Sequence, residues 1–275
     1  MKTIHAAAAK RILLAAHRGV SGGNIPCNTL EAYEIALRQG ADIVEIDIAR
    51  SADGALYVFH PGMESAHLRS PKLIRDMTAE EVAALRFVNQ DGVPTECRVS
   101  TIDEVFELLK GRCIVNIDKF WTAMPEITAA VRRHGMEQEV IVKTSADPKW
   151  FDQLEQVAPE LPYMPIISQE DACTEALAGR RINLIGAEVL FKTEDAPVAS
   201  DAYIADMHRR GLLLWVNAIV YNYKAVLAAG HSDDVSMAKN PDDGWGWLAD
   251  KKFDIIQTDW TLPAHLYYAE RGLRA

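Results

Sequence analysis

The chain has 275 residues, 49% of them hydrophobic and 25% charged, and 39 acidic against 29 basic side chains leave a net charge of -10. This length and apolar fraction support a sizeable core, whereas the acidic balance excludes a nucleic-acid binder, which needs a basic footprint to neutralise phosphates. No run approaches the ~18 apolar residues of a membrane span, so no stable membrane insertion is expected.

The four cysteines, Cys27, Cys97, Cys113 and Cys173, lie far apart without metal-ligand spacing and read as free thiols of a reducing compartment. Residues 1–10 hold an Ala stretch but no signal-peptide core. A cytoplasmic location is therefore expected, or a periplasmic or secreted one if a leader has been removed; composition leaves monomer and homo-oligomer both open.

In chain order, Ile12 to Ala16 is expected as a buried strand that opens into His17-Arg18-Gly19 and a loop rich in Gly, Asn and Pro. Asn28 or Thr29 can N-cap a helix whose apolar face is Leu30, Tyr33, Ile35, Ala36 and Leu37 and which Gly40 stops. Ile43 to Ala49 follows as a second strand, completing the βαβ signature of a parallel sheet. Glu45 and Asp47 lie two apart on it and so share a face. Burying two like charges is costly unless a cation or a shared proton offsets the repulsion. After a turn at Ala52-Asp53-Gly54 a second apolar run ends in His60, a hairpin-like unit read as an extension of the second strand.

Residues 61–98 break this rhythm with Pro61, Gly62, Pro71, Gly92 and Pro94, and carry one helical piece at Thr78 to Leu85 with a Thr78/Glu81 capping box. This is expected to be a small insertion. Beyond it, strands are expected at 114–118, 140–143, 163–167, 186–190, 212–217 and 254–258. Helices are expected at 101–109, 124–134, 148–157, 171–180, 201–210 and 263–271, with a helical piece around Tyr223 to Ala229. Eight βα units predict an α/β chain folded as one (β/α)8 TIM barrel, a single domain over 1–275 with the insertion at about 61–98.

In such a barrel the site lies at the C-terminal ends of the strands, and polar residues gather there: His17, Arg18, Glu45, Asp47, His60, Asp118, Lys119, Lys143, Glu188, Asn217, Thr258 and Asp259. Glu45, Asp47 and Asp118, from adjacent strands, can converge on one hard cation, and oxygen-only ligation suits Mg²⁺ or Ca²⁺. His17 and His60 can divide general acid and base duties, and Arg18 offers a bidentate fork to phosphate. Together these describe phosphodiester cleavage.

The runs His17-Arg18-Gly19, Pro26-Cys27-Asn28-Thr29, Gly40 to Asp47, Asp53-Gly54 and His60 resemble the glycerophosphodiester phosphodiesterase family. Asp118, Trp215 with Asn217, and Asp254 to Asp259 extend the likeness along the chain. The resemblance implies a divalent metal on Glu45, Asp47 and Asp118 and acid-base catalysis by His17 and His60. It implies hydrolysis of a small glycerophosphodiester to glycerol 3-phosphate and an alcohol through a cyclic phosphate. Arg18, Asn28, Lys143, Glu188 and Trp215 are the expected substrate contacts. Three departures stand out: Cys27 replaces a Glu, Pro61 replaces an acid after His60, and Asp118-Lys119-Phe120 replaces Glu-x-Lys. Slipped by one residue, Lys119 is expected on the opposite face of its strand, with Lys143 taking over its phosphate contact. The competing readings are a phospholipase D-like activity on lysophospholipids or sphingolipids and a catalytically silent binding barrel.

Overall fold

The computed structural model describes residues 2–220 and 225–274. Its strands, in chain order, are β1 (Leu13–Ala16), β2 (Ile43–Arg50), β3 (Leu56–Val58), β4 (Ile114–Asp118), β5 (Val140–Ser145), β6 (Tyr163–Ser168), β7 (Gly186–Leu190), β8 (Leu213–Asn217) and β9 (Ile255–Thr258). All except β3 pair in parallel, and β1 bonds to both β2 and β9, which closes an eight-stranded barrel. The expected (β/α)8 architecture is therefore present. The run at 55–60 is not a forward extension of β2: β3 returns antiparallel along it, Ile48 opposite Val58, outside the barrel.

Period-two alternation sorts each barrel strand between two environments. Leu14, Ala16, Val44, Ile46, Val115, Ile117, Val142, Val189, Leu214, Val216 and Ile256 face outward into one core shared with the helices. Leu13, Ile43, Ile141, Met164, Leu213 and Ile255 point inward and form the lower layer of the barrel interior. The helix Lys2–Ala8, unforeseen because its run is short and Ala-rich, packs Ile4 against that layer. One step higher the inward positions turn polar: Glu45, Asn116, Lys143, Glu188 and Gln257. An apolar floor thus carries a polar upper layer, which is where the site is built.

The insertion has its own small core, in which Phe59, Leu68, Ile74, Met77, Val82 and Phe87 pack together. Beside the expected helix, Ala79–Ala83 with both halves of the Thr78/Glu81 capping box present, it contains a helix at Glu64–Leu68 and a 3-10 turn at Ile74–Asp76. The buried carboxylate of Glu64 ties these pieces together by accepting from the Gly62 (2.8 Å) and Ile74 (3.0 Å) backbone N–H groups.

Two expected helices differ. That at 171–180 is confined to Thr174–Ala178, because the Asp171 side chain accepts from the Cys173 and Thr174 N–H groups and holds the preceding turn. The piece around Tyr223 to Ala229 lies partly outside the described residues, and its remainder is irregular, Ala228 bridging in parallel to Phe191 before a turn at Ala229. The helical content of this connection comes later, at Asp233–Ala238, Asp242–Gly246 and Trp247–Asp250.

Gly186 on β7 lies tight against β8: a Cβ there would lie 2.1 Å from the Leu213 carbonyl oxygen. Gly186→Ala is expected to cost about 2 kcal/mol or more in urea unfolding, since backbone rather than a flexible side chain must yield. Thr101, whose hydroxyl caps the helix Ile102–Leu109 in a second capping box, is expected to cost about 1 kcal/mol on Thr101→Ala in the same measurement.

Candidate active site

The register of β2 against β4 places Glu45 beside Asn116 and Asp47 beside Asp118 at the C-terminal mouth. Glu45, Asp47 and Asp118 consequently bring one oxygen each to within 4.8 Å of one another. Burial, followed by repulsion from Asp47, pushes Glu45 well above the ordinary carboxylate range. Asp47 Oδ1 and Asp118 Oδ1 are buried without a hydrogen-bond partner. Converging, acceptor-only and under-satisfied oxygens fit a hard divalent cation, for which these three residues are the candidate holders.

The loop after β1 wraps this cluster. The Arg18 N–H donates to Glu45 Oε2 (2.9 Å), and its guanidinium Nε lies 2.9 Å from Asp47 Oδ2. Asn28 Nδ2 donates to Asp47 Oδ2 (3.0 Å), and the Tyr33 hydroxyl donates to Asn28 Oδ1 (2.9 Å). Both ends of the Asn28 amide are thus engaged below the surface, and Asn28 orients the Asp47 carboxylate. Arg18, Asn28 and Lys119 all take left-handed backbone, φ 56°, 57° and 60°. Such conformations persist where the surroundings over-determine them and collect at functional sites.

Lys119 corrects an expectation. Strand alternation would turn it away, but β4 ends at Asp118 and the left-handed step redirects the side chain into the site. Its Nζ lies 2.5 Å from Asp118 Oδ2 and 4.0 Å from Asp47 Oδ1. Burial works against the ammonium, but Asp118 and Asp47 outweigh it and hold Lys119 charged.

The histidines stand on either side of the acids. His17 Nδ1 donates to Asp259 Oδ1 (2.8 Å), while His60 Nε2 lies 4.0 Å from Asp47 Oδ1. Burial pulls His17 down, but the Asp259 hydrogen bond and the Glu45 charge outweigh it and the imidazole titrates above its usual range. For His60 burial dominates and the shift is downward. With Pro61 in place of an acid, the described residues offer no hydrogen-bond partner to His60 Nδ1.

A cleft of about 270 Å³ opens over these groups, lined by both histidines, Arg18, Glu45, Asp118, Lys119 and Lys143 among others. Lys143 Nζ donates to Glu188 Oε2 (2.6 Å), and Asn217 Nδ2 donates to Glu188 Oε1 (2.6 Å). Trp215, expected as a substrate wall, lies under this layer instead. It is fully buried in the middle of β8, donates from Nε1 to Asn217 and Gln257, and has Lys143 Nζ 3.1 Å from its ring centroid. Phe87 and Trp245 are likewise buried, and Trp247 stacks on His231. Lys119 and the Asp259 partner of His17 carry roles that strand alternation alone did not assign.

A family model described as a domain of unknown function matches residues 163–267. The glycerophosphodiester phosphodiesterase of Caldanaerobacter subterraneus subsp. tengcongensis is 30% identical over 145 residues, 49% of this chain and 58% of that protein. The chain spans about half the length of the curated relatives it matches. In fold, a glycerophosphoryl diester phosphodiesterase from Parabacteroides distasonis aligns with TM-score 0.79 at 20% identity, covering 95% of this chain and 88% of that one. An Oleispira antarctica phosphodiesterase in complex with the product sn-glycerol-3-phosphate aligns with TM-score 0.67 at 19% identity, covering 96% and 98%. The barrel is the one these phosphodiesterases carry, and the sequence relatives bear out the resemblance of this chain to the glycerophosphodiester phosphodiesterase family.

Proposed function

We propose that this chain hydrolyses small glycerophosphodiesters to glycerol 3-phosphate and an alcohol, using a divalent cation and the His17/His60 pair. The observation that carries this reading is the convergence of Glu45, Asp47 and Asp118, with orphaned oxygens on Asp47 and Asp118, under a cleft flanked by two histidines and by Arg18, Lys119 and Lys143. Product bound to the Oleispira antarctica neighbour supports the substrate class. The cleft volume lies near the lower end of the range for small-molecule sites, which suits a deacylated substrate better than a lipid.

When bound by Glu45, Asp47 and Asp118, Mg²⁺ or Ca²⁺ would supply Lewis-acid polarisation of the phosphoryl group. Arg18 and Lys119 bring positive charge to the same spot, so an anionic phosphodiester can dock in a protein of net charge -10. One imidazole takes the proton of the glycerol hydroxyl as its oxygen bonds to phosphorus. The other protonates the departing alkoxide as its P–O bond breaks. Water then opens the resulting cyclic phosphate, with the proton roles reversed. The opposite shifts of the two histidines support a neutral His60 as the first base and a protonated His17 as the acid.

Release of glycerol phosphate from glycerophosphocholine or glycerophosphoethanolamine is expected to stop in EDTA and return with added Mg²⁺ or Ca²⁺; undiminished turnover in chelator would remove the metal from the reaction. His17→Ala and His60→Ala should each lower kcat by roughly 10²-fold or more with little change in unfolding midpoint. The pH profile of kcat/KM should be bell-shaped, because activity needs His60 neutral and His17 protonated. It should fall on the acid side as His60 gains its proton and on the alkaline side as His17 loses its own.

A further inference from the structure

We infer that Asp233 is a positioning residue for His17: it anchors Asp259 through the backbone, and the Asp259 side chain holds the imidazole by Nδ1. The inference rests on the acid-base role proposed above for His17. Asp233 opens the helix Asp233–Ala238 and is 1% exposed. Its Oδ1 accepts from Trp245 Nε1 (2.7 Å) and from the Thr258 hydroxyl (2.7 Å), and its Oδ2 accepts from the Asp259 N–H (2.8 Å). Its own N–H donates to the Ala218 carbonyl just beyond β8 (2.7 Å). The carboxylate therefore joins three segments, the start of its own helix, the turn carrying Trp245 and the end of β9.

The end of β9 is where His17 is fixed. The His17 N–H donates to the Thr258 carbonyl (3.2 Å), and His17 Nδ1 donates to Asp259 Oδ1. The Asp259 side chain is 46% exposed, and an exposed carboxylate on a loose backbone contributes little to an ion pair because entropy and water compete. Clamping the Asp259 N–H removes that freedom one bond from the side chain. The three donors to Asp233 are all uncharged, and burial pushes its carboxyl up to about 7 in spite of them. Besides Asp259, Tyr268 lies within electrostatic reach of Asp233, and its hydroxyl donates to the Trp245 carbonyl (3.0 Å). A buried acid held without a cation is costly to keep for packing alone. Asp233, Trp245, Thr258 and Asp259 all lie within residues 163–267, so positioning His17 would give the matched domain of unknown function a role in the site.

Asp233→Asn keeps the volume and one acceptor for Trp245 and Thr258, but sets an NH₂ against the Asp259 N–H. The test is a double-mutant cycle of Asp233→Asn and Asp259→Asn, read by NMR titration of His17 in EDTA and by kcat and KM with the holoenzyme. Asp233→Asn should lower the His17 pKa by roughly half a unit or more and kcat by roughly tenfold, with KM little changed. The double variant should be no worse than Asp259→Asn alone, since both substitutions break one chain of contacts. An unchanged His17 titration, or fully additive effects, would overturn the proposal. Should Asp233→Asn not fold, Trp245→Phe, which deletes one donor to the same carboxylate, should shift His17 in the same direction, and no shift would overturn it equally. The titration needs no substrate, so a wild-type protein inactive on glycerophosphodiesters would sink the proposed activity while leaving this network testable.

Discussion

Three carboxylates at one mouth of the barrel, Glu45 and Asp47 buried and Asp118 half-buried, are the constraint around which the rest is arranged. Like charges a few ångströms apart in a dehydrated site repel strongly, and each buried carboxylate also forfeits its hydration. The chain answers with donors and positive charge: the Arg18 N–H on Glu45, the Arg18 guanidinium and the Asn28 amide on Asp47, and Lys119 on Asp118. The compensation is incomplete, as the unpartnered oxygens of Asp47 and Asp118 record. A cation is the group that chemistry of this kind accommodates.

The barrel makes the arrangement rigid. Below the acids the interior is apolar, and above that floor Gln257, Asn217, Glu188 and Lys143 form a polar layer, joined from beneath by the Trp215 indole, whose hydrogen bonds run from β8 and β9 across to β7 and β5. Each member sits on a strand rather than a loop, so its direction follows from the pleat. The parts that cannot be placed by pleat alone, Arg18, Asn28 and Lys119, are the ones with left-handed backbone. Gly19 is tied to the same design: with φ +78°, a Cβ on it would lie 2.8 Å from the Ala32 carbonyl carbon, so its small size lets the loop lie against the helix Leu30–Arg38.

The same frame explains how two imidazoles become unequal. His17 has the support of a carboxylate hydrogen-bonded to its ring nitrogen, whereas for His60, followed by Pro61, burial together with Arg18 and Lys119 outweighs the pull of Asp47. The difference comes from the end of β9 and its support by Asp233, a hundred or more residues away in the chain from either histidine.

The sequence by itself determined the barrel, because alternating strand and helix periodicities have few other ways to bury both kinds of apolar face. It also determined the acid cluster: Glu45 and Asp47 must share a face, and the C-terminal ends of adjacent parallel strands must meet. Lys119 was misplaced because alternation holds only while the strand lasts, and where β4 stops depends on a backbone angle that residue type does not encode. Trp215 was assigned to the substrate wall because its height in the barrel, which buries it beneath the cleft, is set by strand register. Asp233 carried no signal at all, since its helix follows an irregular connection and its partners arrive from elsewhere in the chain. What only the tertiary structure decided is therefore which polar groups face one another, a property of packing distances that local sequence patterns do not specify.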